Sequence, residues 1–458
     1  MNDFLELNIK HSSLLKFALP TVIATVFMTI YSTIDGVFVS NLVGTDALSA
    51  VNIVSPFLMI TIAIGTMIGM GGNALVAKKL GEGKKEEARE NFTLLLLMAT
   101  IISIIMSSAG LLFKEPILRM LGANDALFPL ADAYATPLFI IIPFALLGML
   151  FQMFFVSEGK PGYGMAFSII GGIINIVLDY VLIKTLNMGI QGAAIATGIG
   201  YAFPSVIGLI YFTLHRNGNL YFVKPKLDWS VIVKASGNGM SEMVTMLSTS
   251  VVTIAMNNIM IRLAGTDGVS AITIILYAQS LLSSIYMGYA TGISPIISFN
   301  YGKDDTDNLK KIHKISLQII AIMSIAAFLI SFVLAKPIVQ IFTPVGSSVY
   351  IMAMEVFKIF AVAFLFMGFN VYSSSMFTAL NNGKVSAILS FLRTLVFLLA
   401  SLMIFPTIFG VTGVWIATPI AELLGLGMTY YYFKKMNSVY GYSPIKGEIL
   451  YGVRKTNQ

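Results

Sequence analysis

Long apolar runs recur along the whole chain, separated by short segments that hold most of its charged residues. A bilayer core about 30 Å thick requires about 20 apolar residues in a helix to cross it. Lipid offers no partner for backbone N–H and C=O groups, so each run of that length is predicted to be a helix. Twelve spans are predicted, over residues 14–40, 48–77, 91–113, 132–157, 164–186, 190–214, 231–262, 271–299, 312–335, 350–378, 384–407 and 411–434.

Composition supports a membrane protein and argues against several other classes. Of 458 residues, 57% are hydrophobic and 11% are charged, against roughly 25% charged in a soluble domain. The net charge of +7 comes from basic residues clustered between the apolar runs. That pattern favours contact with membrane lipids and not with nucleic acid. The chain has no Cys and three His residues, so no thiolate or histidine metal site and no cofactor are expected.

The basic residues also predict an orientation. Of 29 Lys and Arg residues, 22 lie in the N-terminal segment, the even-numbered loops and the C-terminal tail, at or near span ends. Five lie in odd-numbered loops and two lie inside spans. Because cytoplasmic loops carry the excess of Lys and Arg, we expect a multi-pass protein of a bacterial plasma membrane with both termini in the cytoplasm.

An internal repeat indicates that the chain is duplicated. Segments match at a constant offset of 221 residues: 42–50 with 263–271, Gly81 with Gly302, 114–117 with 335–338, Gly189 with Gly410, and 195–197 with 416–418. Six spans per half is an even number, so both halves begin on the same side of the membrane. The prediction is an all-α fold of two parallel six-helix lobes, related by a pseudo-twofold axis along the membrane normal.

The predicted domains are an N-terminal lobe (1–214), a basic cytoplasmic linker (215–230) and a C-terminal lobe (231–458) with a short tail. A cleft between two such lobes is a natural substrate path. A duplicated structural protein without transport activity is the alternative.

Polar residues inside the first lobe are candidates for an ion site, because ionisable groups at membrane depth are costly. Asp35 lies near the far end of span 1, and Asp179 lies about 22 Å along span 5. Asn175 precedes Asp179 by one helical turn, and Thr197 in span 6 reaches a similar depth. These oxygens suit Na⁺ or a shared proton, although Asn and Thr in membrane helices also serve as interhelical contacts.

Other intramembrane residues permit two interpretations each. Glu242 in span 7 is either part of a second cation or substrate site or an interfacial residue. Arg393 in span 11 is a candidate counter-charge for the cleft. Pro20 in span 1 either provides a hinge or sits harmlessly in the first turns. Glu422 receives no predicted role.

Several segments resemble the multidrug and toxic compound extrusion (MATE) family, in particular its bacterial MepA-like branch. The resemblance covers essentially the whole chain. It rests on segments 44–50, 72–76 with Gly81, 158–161, 175–179 and 189–197. The resemblance implies cation-coupled drug antiport, with Asp35, Asn175, Asp179 and Thr197 as the cation site. Some family members carry second-lobe acids in spans 7 and 10. Span 10 here has Asn370 in place of a carboxylate, so Asn370, Glu242 and Arg393 are candidates for a substrate or second-lobe site that departs from the family pattern.

The predicted function is a secondary antiporter that exports amphipathic, mostly cationic compounds in exchange for inward H⁺ or Na⁺, acting as a monomer. A lipid-linked precursor flippase of the related superfamily is the alternative, but it would need a cleft rich in basic residues. An enzyme is not expected, because the spans lack a His/Glu metal pair or an activated nucleophile.

Overall fold

The computed structural model describes residues 8–43 and 45–442, with backbone alone at 33–42, 45–46 and 48. Every regular element within these ranges is helical. Eleven helices of the described chain are long and apolar enough to cross a membrane. One of them is a double span, so the predicted twelve-span all-α fold is confirmed.

The spans begin and end close to the predicted positions. They are span 1, His11–Leu42; span 2, Thr45–Gly81; span 3, Lys85–Leu112; span 4, Phe128–Ser157; span 5, Pro161–Asp179 continued by a π-helical segment at Tyr180–Thr185; span 6, Gly189–Leu214; spans 7 and 8, both within Trp229–Gly302; span 9, Thr306–Phe342; span 10, Ser348–Phe360 and Phe364–Ala379 joined by a 3-10 turn; span 11, Gly383–Phe391, a π-helical segment at Leu392–Phe397, and Leu398–Phe409; and span 12, Val411–Tyr440. A short helix, Lys114–Met120, lies between spans 3 and 4.

The double span is divided by one glycine. Trp229–Gly302 has 74 residues, which is roughly 110 Å of helix and far more than a bilayer core of about 30 Å. Gly265 breaks it with φ 62° and ψ −154°, a conformation that residues with a Cβ rarely adopt. Span 7 ends and span 8 begins at this position.

Backbone geometry repeats at the same offset as the sequence. Gly189 and Gly410 begin the last span of their lobes with φ values of 55° and 58°. Gly83 and Asp304, also 221 residues apart, have φ values of 74° and 56° in the turns after spans 2 and 8. The duplication read from the sequence therefore extends to the turns that connect the spans.

Buried apolar residues form three cores, and their distribution describes how the lobes meet. One core contains residues of both lobes, including Leu14, Leu150, Phe299 and Phe377. It occupies the half of the bundle that carries the described ends of the chain. In the opposite half, one core belongs to the first lobe alone and another to the second lobe alone. The lobes are thus joined at one end and have independent cores at the other.

Close backbone approach joins the lobes at the shared end. A Cβ on Gly71 of span 2 would overlap the carbonyl oxygen of Ala235 in span 7, and a Cβ on Gly239 would overlap that of Met67. Gly81 and Gly302, which are repeat partners, lie against span 8 and span 2 respectively in the same way. Glycine is required here because any side chain would push the two lobes apart.

The segment between the lobes is fastened to the first lobe. The buried carboxylate of Glu158 accepts backbone N–H groups from Asn219 (3.2 Å) and Leu220 (2.7 Å). Arg89 donates from Nε to the carbonyl oxygen of Asn219 at 2.9 Å. Phe222 packs against Phe92 with ring centroids 5.5 Å apart. We call residues 215–223 the strap, because it lies along the first lobe before the chain leaves for span 7.

Candidate functional site

Three of the four predicted first-lobe residues are buried inside the lobe, and two of them are in contact. Asn175 and Asp179 lie one turn apart on span 5 and are both 0% exposed, and Thr197 on span 6 is 7% exposed. The Asn175 side-chain amide donates from Nδ2 to Thr197 Oγ1 at 3.4 Å. We call Asn175, Asp179 and Thr197 the first-lobe cluster.

Local sequence explains why spans 5 and 6 approach so closely there. A Cβ on Gly171 would lie 2.5 Å from the carbonyl oxygen of Gly200, and a Cβ on Gly200 would lie 2.9 Å from the Cβ of Asn175. Two small residues therefore allow the helices to cross at the level of the amide. Immediately after Asp179, span 5 changes to a π-helical segment. Such segments are rare and occur frequently at functional sites.

The chemistry of the first-lobe cluster suits a hard cation. Among the residues whose side chains are described, Asn175 Oδ1 is buried without a hydrogen-bond partner. A buried carbonyl oxygen without a donor is unfavourable unless something electropositive approaches it. With the carboxylate of Asp179 and the hydroxyl of Thr197, it forms an all-oxygen set of the kind that binds alkali and alkaline-earth ions.

The fourth predicted residue, Asp35, has a side chain outside the described part of the chain. Its helix nevertheless packs on the cluster's helix, because Phe27 of span 1 lies against Gly172 of span 5. Pro20 lies inside the same helix, which continues through it from His11 to Leu42. The hinge at Pro20 stays a prediction.

A second polar cluster lies in the second lobe. Arg393 of span 11 forms an ion pair with Glu422 of span 12, with Nη1 and Oε1 3.2 Å apart. Asn370 of span 10 donates to Glu422 Oε2 at 2.7 Å and accepts from Thr429 Oγ1 at 3.0 Å. The Arg393 and Glu422 side chains are only 13% and 9% exposed. These four residues are the second-lobe cluster.

Sequence reasoning named Asn370 and Arg393 but missed their partners. Glu422 had no predicted role, and Thr429 was not considered. A signal was present: Thr418, Glu422 and Thr429 follow one another at intervals of four and seven residues, which places them on one helical face. Glu242, also buried, is attracted electrostatically by the same Arg393 guanidinium.

Below the second-lobe cluster, a chain of hydroxyl groups connects spans 7, 10 and 11. Ser374 Oγ lies 2.7 Å from Ser390 Oγ and 2.9 Å from Ser386 Oγ. Thr378 Oγ1 lies 2.8 Å from Ser386 Oγ and 3.3 Å from Ser241 Oγ. All five side chains are buried. Hydrogen bonds between hydroxyl groups therefore help to hold these three membrane helices together.

Comparison with known proteins identifies relatives of both halves of the chain. The MatE family profile matches residues 20–181 and 243–403, once in each lobe. The multidrug export protein MepA of Staphylococcus saprophyticus is 23% identical over 415 residues, which cover 90% of each chain. The MepA protein of Staphylococcus haemolyticus is 24% identical over the same share of both chains.

Solved structures show the same fold. An outward-facing conformation of a multidrug resistance MATE family transporter aligns with a TM-score of 0.90 at 23% identity, covering 96% of this chain and 99% of that one. A MATE structure in the straight conformation aligns with a TM-score of 0.89 at 22% identity, covering 96% and 98%. These neighbours have the two-lobe, twelve-helix architecture described above. With the family profile matching most of both lobes, the chain belongs to the MATE family of multidrug efflux transporters as a MepA-like member, and it is not an enzyme.

Proposed function

We propose that this protein is a secondary antiporter that exports amphipathic, mostly cationic compounds in exchange for inward H⁺ or Na⁺. The burial of Asn175, Asp179 and Thr197 within one lobe, with Asn175 and Thr197 in contact, carries this proposal. Together with Asp35 from span 1, these residues would form the coupling site. A carboxylate buried in lipid is costly without a bound cation or proton, so occupancy of the site changes the energy of the whole lobe.

Coupling follows from that energy difference. A cation that binds the first-lobe cluster neutralises its charge, and span 1 then repacks against span 5, with Pro20 as the hinge. Repacking lowers the affinity for bound drug, which leaves on the outer side. The return step requires release of the cation into the cytoplasm. Drug and cation must therefore oppose each other's binding, directly or through conformation.

The arrangement of the cores supports an outward-facing state. The lobes share a core at the end that carries the basic loops, including Lys78, Lys79 and Lys84. Because Lys and Arg accumulate on the cytoplasmic side, that closed end would face the cytoplasm in a bacterial plasma membrane, with both termini on the same side. The end with separate lobe cores would open outward. The protein would act as a monomer, since the proposed path lies within one chain.

A lipid-linked precursor flippase receives less support from the geometry. Pyrophosphate recognition requires basic side chains that are free to bind phosphate oxygens. Arg393 is engaged by Glu422 at 3.2 Å. The first-lobe cluster instead presents oxygens, which repel phosphate.

The test is efflux of ethidium from proteoliposomes under imposed H⁺ or Na⁺ gradients. The native protein is expected to respond to one of the two gradients. Asp35→Asn should reduce gradient-driven efflux by roughly tenfold or more, within the usual range of coupling energies. Asp125→Asn is the matched control, because Asp125 has a side chain that is 95% exposed.

Two results would contradict the proposal in different ways. Normal gradient-driven efflux by Asp35→Asn would remove Asp35 from the coupling site. Failure of the native protein to respond to either gradient, with ethidium binding intact, would exclude antiport of this substrate class.

A further inference from the structure

The two polar clusters contain the same kinds of ligand but differ in charge. Each has one carboxylate, one Asn amide and one Thr hydroxyl. In the first lobe these are Asp179, Asn175 and Thr197. The second lobe has Glu422, Asn370 and Thr429. Among the described residues of the two clusters, only the second-lobe cluster contains a guanidinium group.

The guanidinium lies where a free cation would otherwise bind. Arg393 Nη1 contacts Glu422 Oε1, while Asn370 Nδ2 occupies the other carboxylate oxygen. Asn370 Oδ1 is satisfied by the Thr429 hydroxyl. Every described oxygen of this cluster that could bind an ion is therefore already paired. In the first lobe, by contrast, the corresponding oxygen of Asn175 has no donor among the described side chains.

We propose that Arg393 is a tethered cation that permanently fills the second lobe's ion position, so that only the first lobe exchanges a free coupling ion. This inference rests on the antiport function proposed above and refines it. The arginine stays charged at every physiological pH, and its chain prevents it from leaving. The carboxylate of the second-lobe cluster would thus be neutralised permanently by Arg393. It would not add to the number of ions exchanged in a transport cycle.

The pair cannot be explained by stability alone. A buried ion pair is on average no more stabilising than apolar side chains of the same volume, whereas removal of one partner leaves a costly uncompensated charge. The repeat offset aligns Arg393 with Gly172 and Glu422 with Tyr201, so the shared scaffold tolerates neutral residues at both positions. The charged pair in the second lobe is therefore consistent with a role in setting how many free cations the protein binds.

The experiment measures cation binding to purified protein in detergent, with ²²Na⁺ in one arm and proton uptake by a pH indicator in the other. The variant Asp179→Asn lacks the carboxylate of the first-lobe cluster, and the cation binding that it retains defines the background level. In that background, Arg393→Ala is expected to add about one bound cation per molecule, because the exposed carboxylate must be neutralised by Na⁺ or H⁺. Arg393→Lys, which keeps the tethered charge, should add none.

Two further variants assign the new cation to its carboxylate. Arg393→Ala combined with Glu422→Gln should return binding to the background level. Arg393→Ala combined with Glu242→Gln should keep the additional cation, because Glu422 still carries its charge. If Arg393→Ala does not fold, Arg393→Gln, which preserves most of the side-chain volume, permits the same comparison.

Guanidinium ion provides an independent readout. Low millimolar guanidinium chloride should raise the Tm of Arg393→Ala and leave that of Arg393→Lys unchanged, because only the former has an unfilled position. The proposal is overturned if Arg393→Ala binds no additional cation in either arm, or if the variant with Glu422→Gln binds it equally. Since binding is measured without transport, these outcomes are independent of the efflux test, and failure of one proposal is distinguishable from failure of the other.

Discussion

The two lobes share a backbone and differ in what they bury at membrane depth. Turns recur 221 residues apart with positive φ values in both lobes, yet Asp179 aligns with Ala400 and Glu422 aligns with Tyr201. The carboxylates of the two polar clusters therefore occupy different positions on a duplicated scaffold. The scaffold explains the symmetry of the fold, and the unequal clusters are the basis for the proposal that the first lobe alone exchanges a free ion.

The largest effect is expected from removal of the first-lobe charge. Asp179→Asn keeps the volume of the side chain but eliminates the anion, so an ion gradient should no longer drive efflux. A loss of about 100-fold in gradient-driven ethidium efflux is expected, near the upper end of measured coupling energies. Retention of drug binding by the variant, measured by fluorescence polarisation, would separate lost coupling from lost folding.

A smaller effect on function is expected at the joined end, where glycines of both lobes make the same kind of close contact. Gly239→Ala inserts a methyl group against the Met67 carbonyl, and overpacking of this kind costs about 1–3 kcal/mol. The state in which the lobes are joined at this end should lose roughly tenfold in population. Gly237→Ala, two residues earlier, has no neighbour within 4 Å of the new Cβ and should behave as native.

The sequence contains no cysteine, so the change in the population of the joined state can be measured with spin labels on introduced cysteines. Spin labels on Asn124→Cys and Val345→Cys, in loops of the two lobes at the end with separate cores, should report a shorter distance in Gly239→Ala than in Gly237→Ala. Equal distance distributions in the two variants would mean that the glycine contact does not hold the lobes in this state.

The hydroxyl of the first-lobe cluster should matter less than its carboxylate. Thr197→Val removes one proposed ion ligand and the acceptor of the Asn175 amide, and a hydrogen bond of this kind contributes about 0.5–1.5 kcal/mol. The ion concentration required for half-maximal efflux should rise roughly twofold to tenfold. Thr418→Val changes the repeat partner, which is also buried, and should leave that concentration unchanged. Matching shifts in both variants would indicate a structural role common to the two lobes.

The smallest effect concerns the strap. Burial raises the pKa of Glu158, which lies just after span 4, to about 7, against the opposing influence of two backbone N–H groups, Lys160 and Arg89. The folded state therefore binds this proton more tightly than the unfolded state, whose carboxyl has an ordinary pKa near 4.5. Stability should fall as pH rises from about 4.5 through about 7 and change no further above it. In Glu158→Gln this decline in Tm should be missing, whereas an unchanged pH profile would show that Glu158 does not titrate in this range.

Sequence alone predicted the spans well because lipid imposes a single rule: apolar length decides what crosses. Gly265 was contained in the repeated segment 263–271, so even the break in the longest helix falls between two predicted spans. Helical spacing and depth also predicted that Asn175, Asp179 and Thr197 lie in the same part of the first lobe, and all three are buried, with Asn175 and Thr197 in contact. Their role as an ion site stays a prediction.

The second-lobe cluster was only partly predictable. Its members come from spans 10, 11 and 12, and sequence spacing says nothing about which helices are neighbours in space. Arg393 was recognised as unusual, but its partner Glu422 depends on the packing of span 12 against span 11. The contact at the joined end could not be predicted from sequence either. Gly239 touches the other lobe and Gly237 faces an open space, but the two glycines look identical in sequence.

The strap has a consequence for how the molecule could be divided. Residues 215–223 are tied to the first lobe through Glu158, Arg89 and Phe92, whereas Lys226 and Leu227 are exposed. A break in the peptide chain between these stretches would leave every described anchor of the strap with one fragment and the whole of Trp229–Gly302 with the other. The two pieces, synthesised as separate polypeptides, would still carry complementary faces for reassembly in the bilayer.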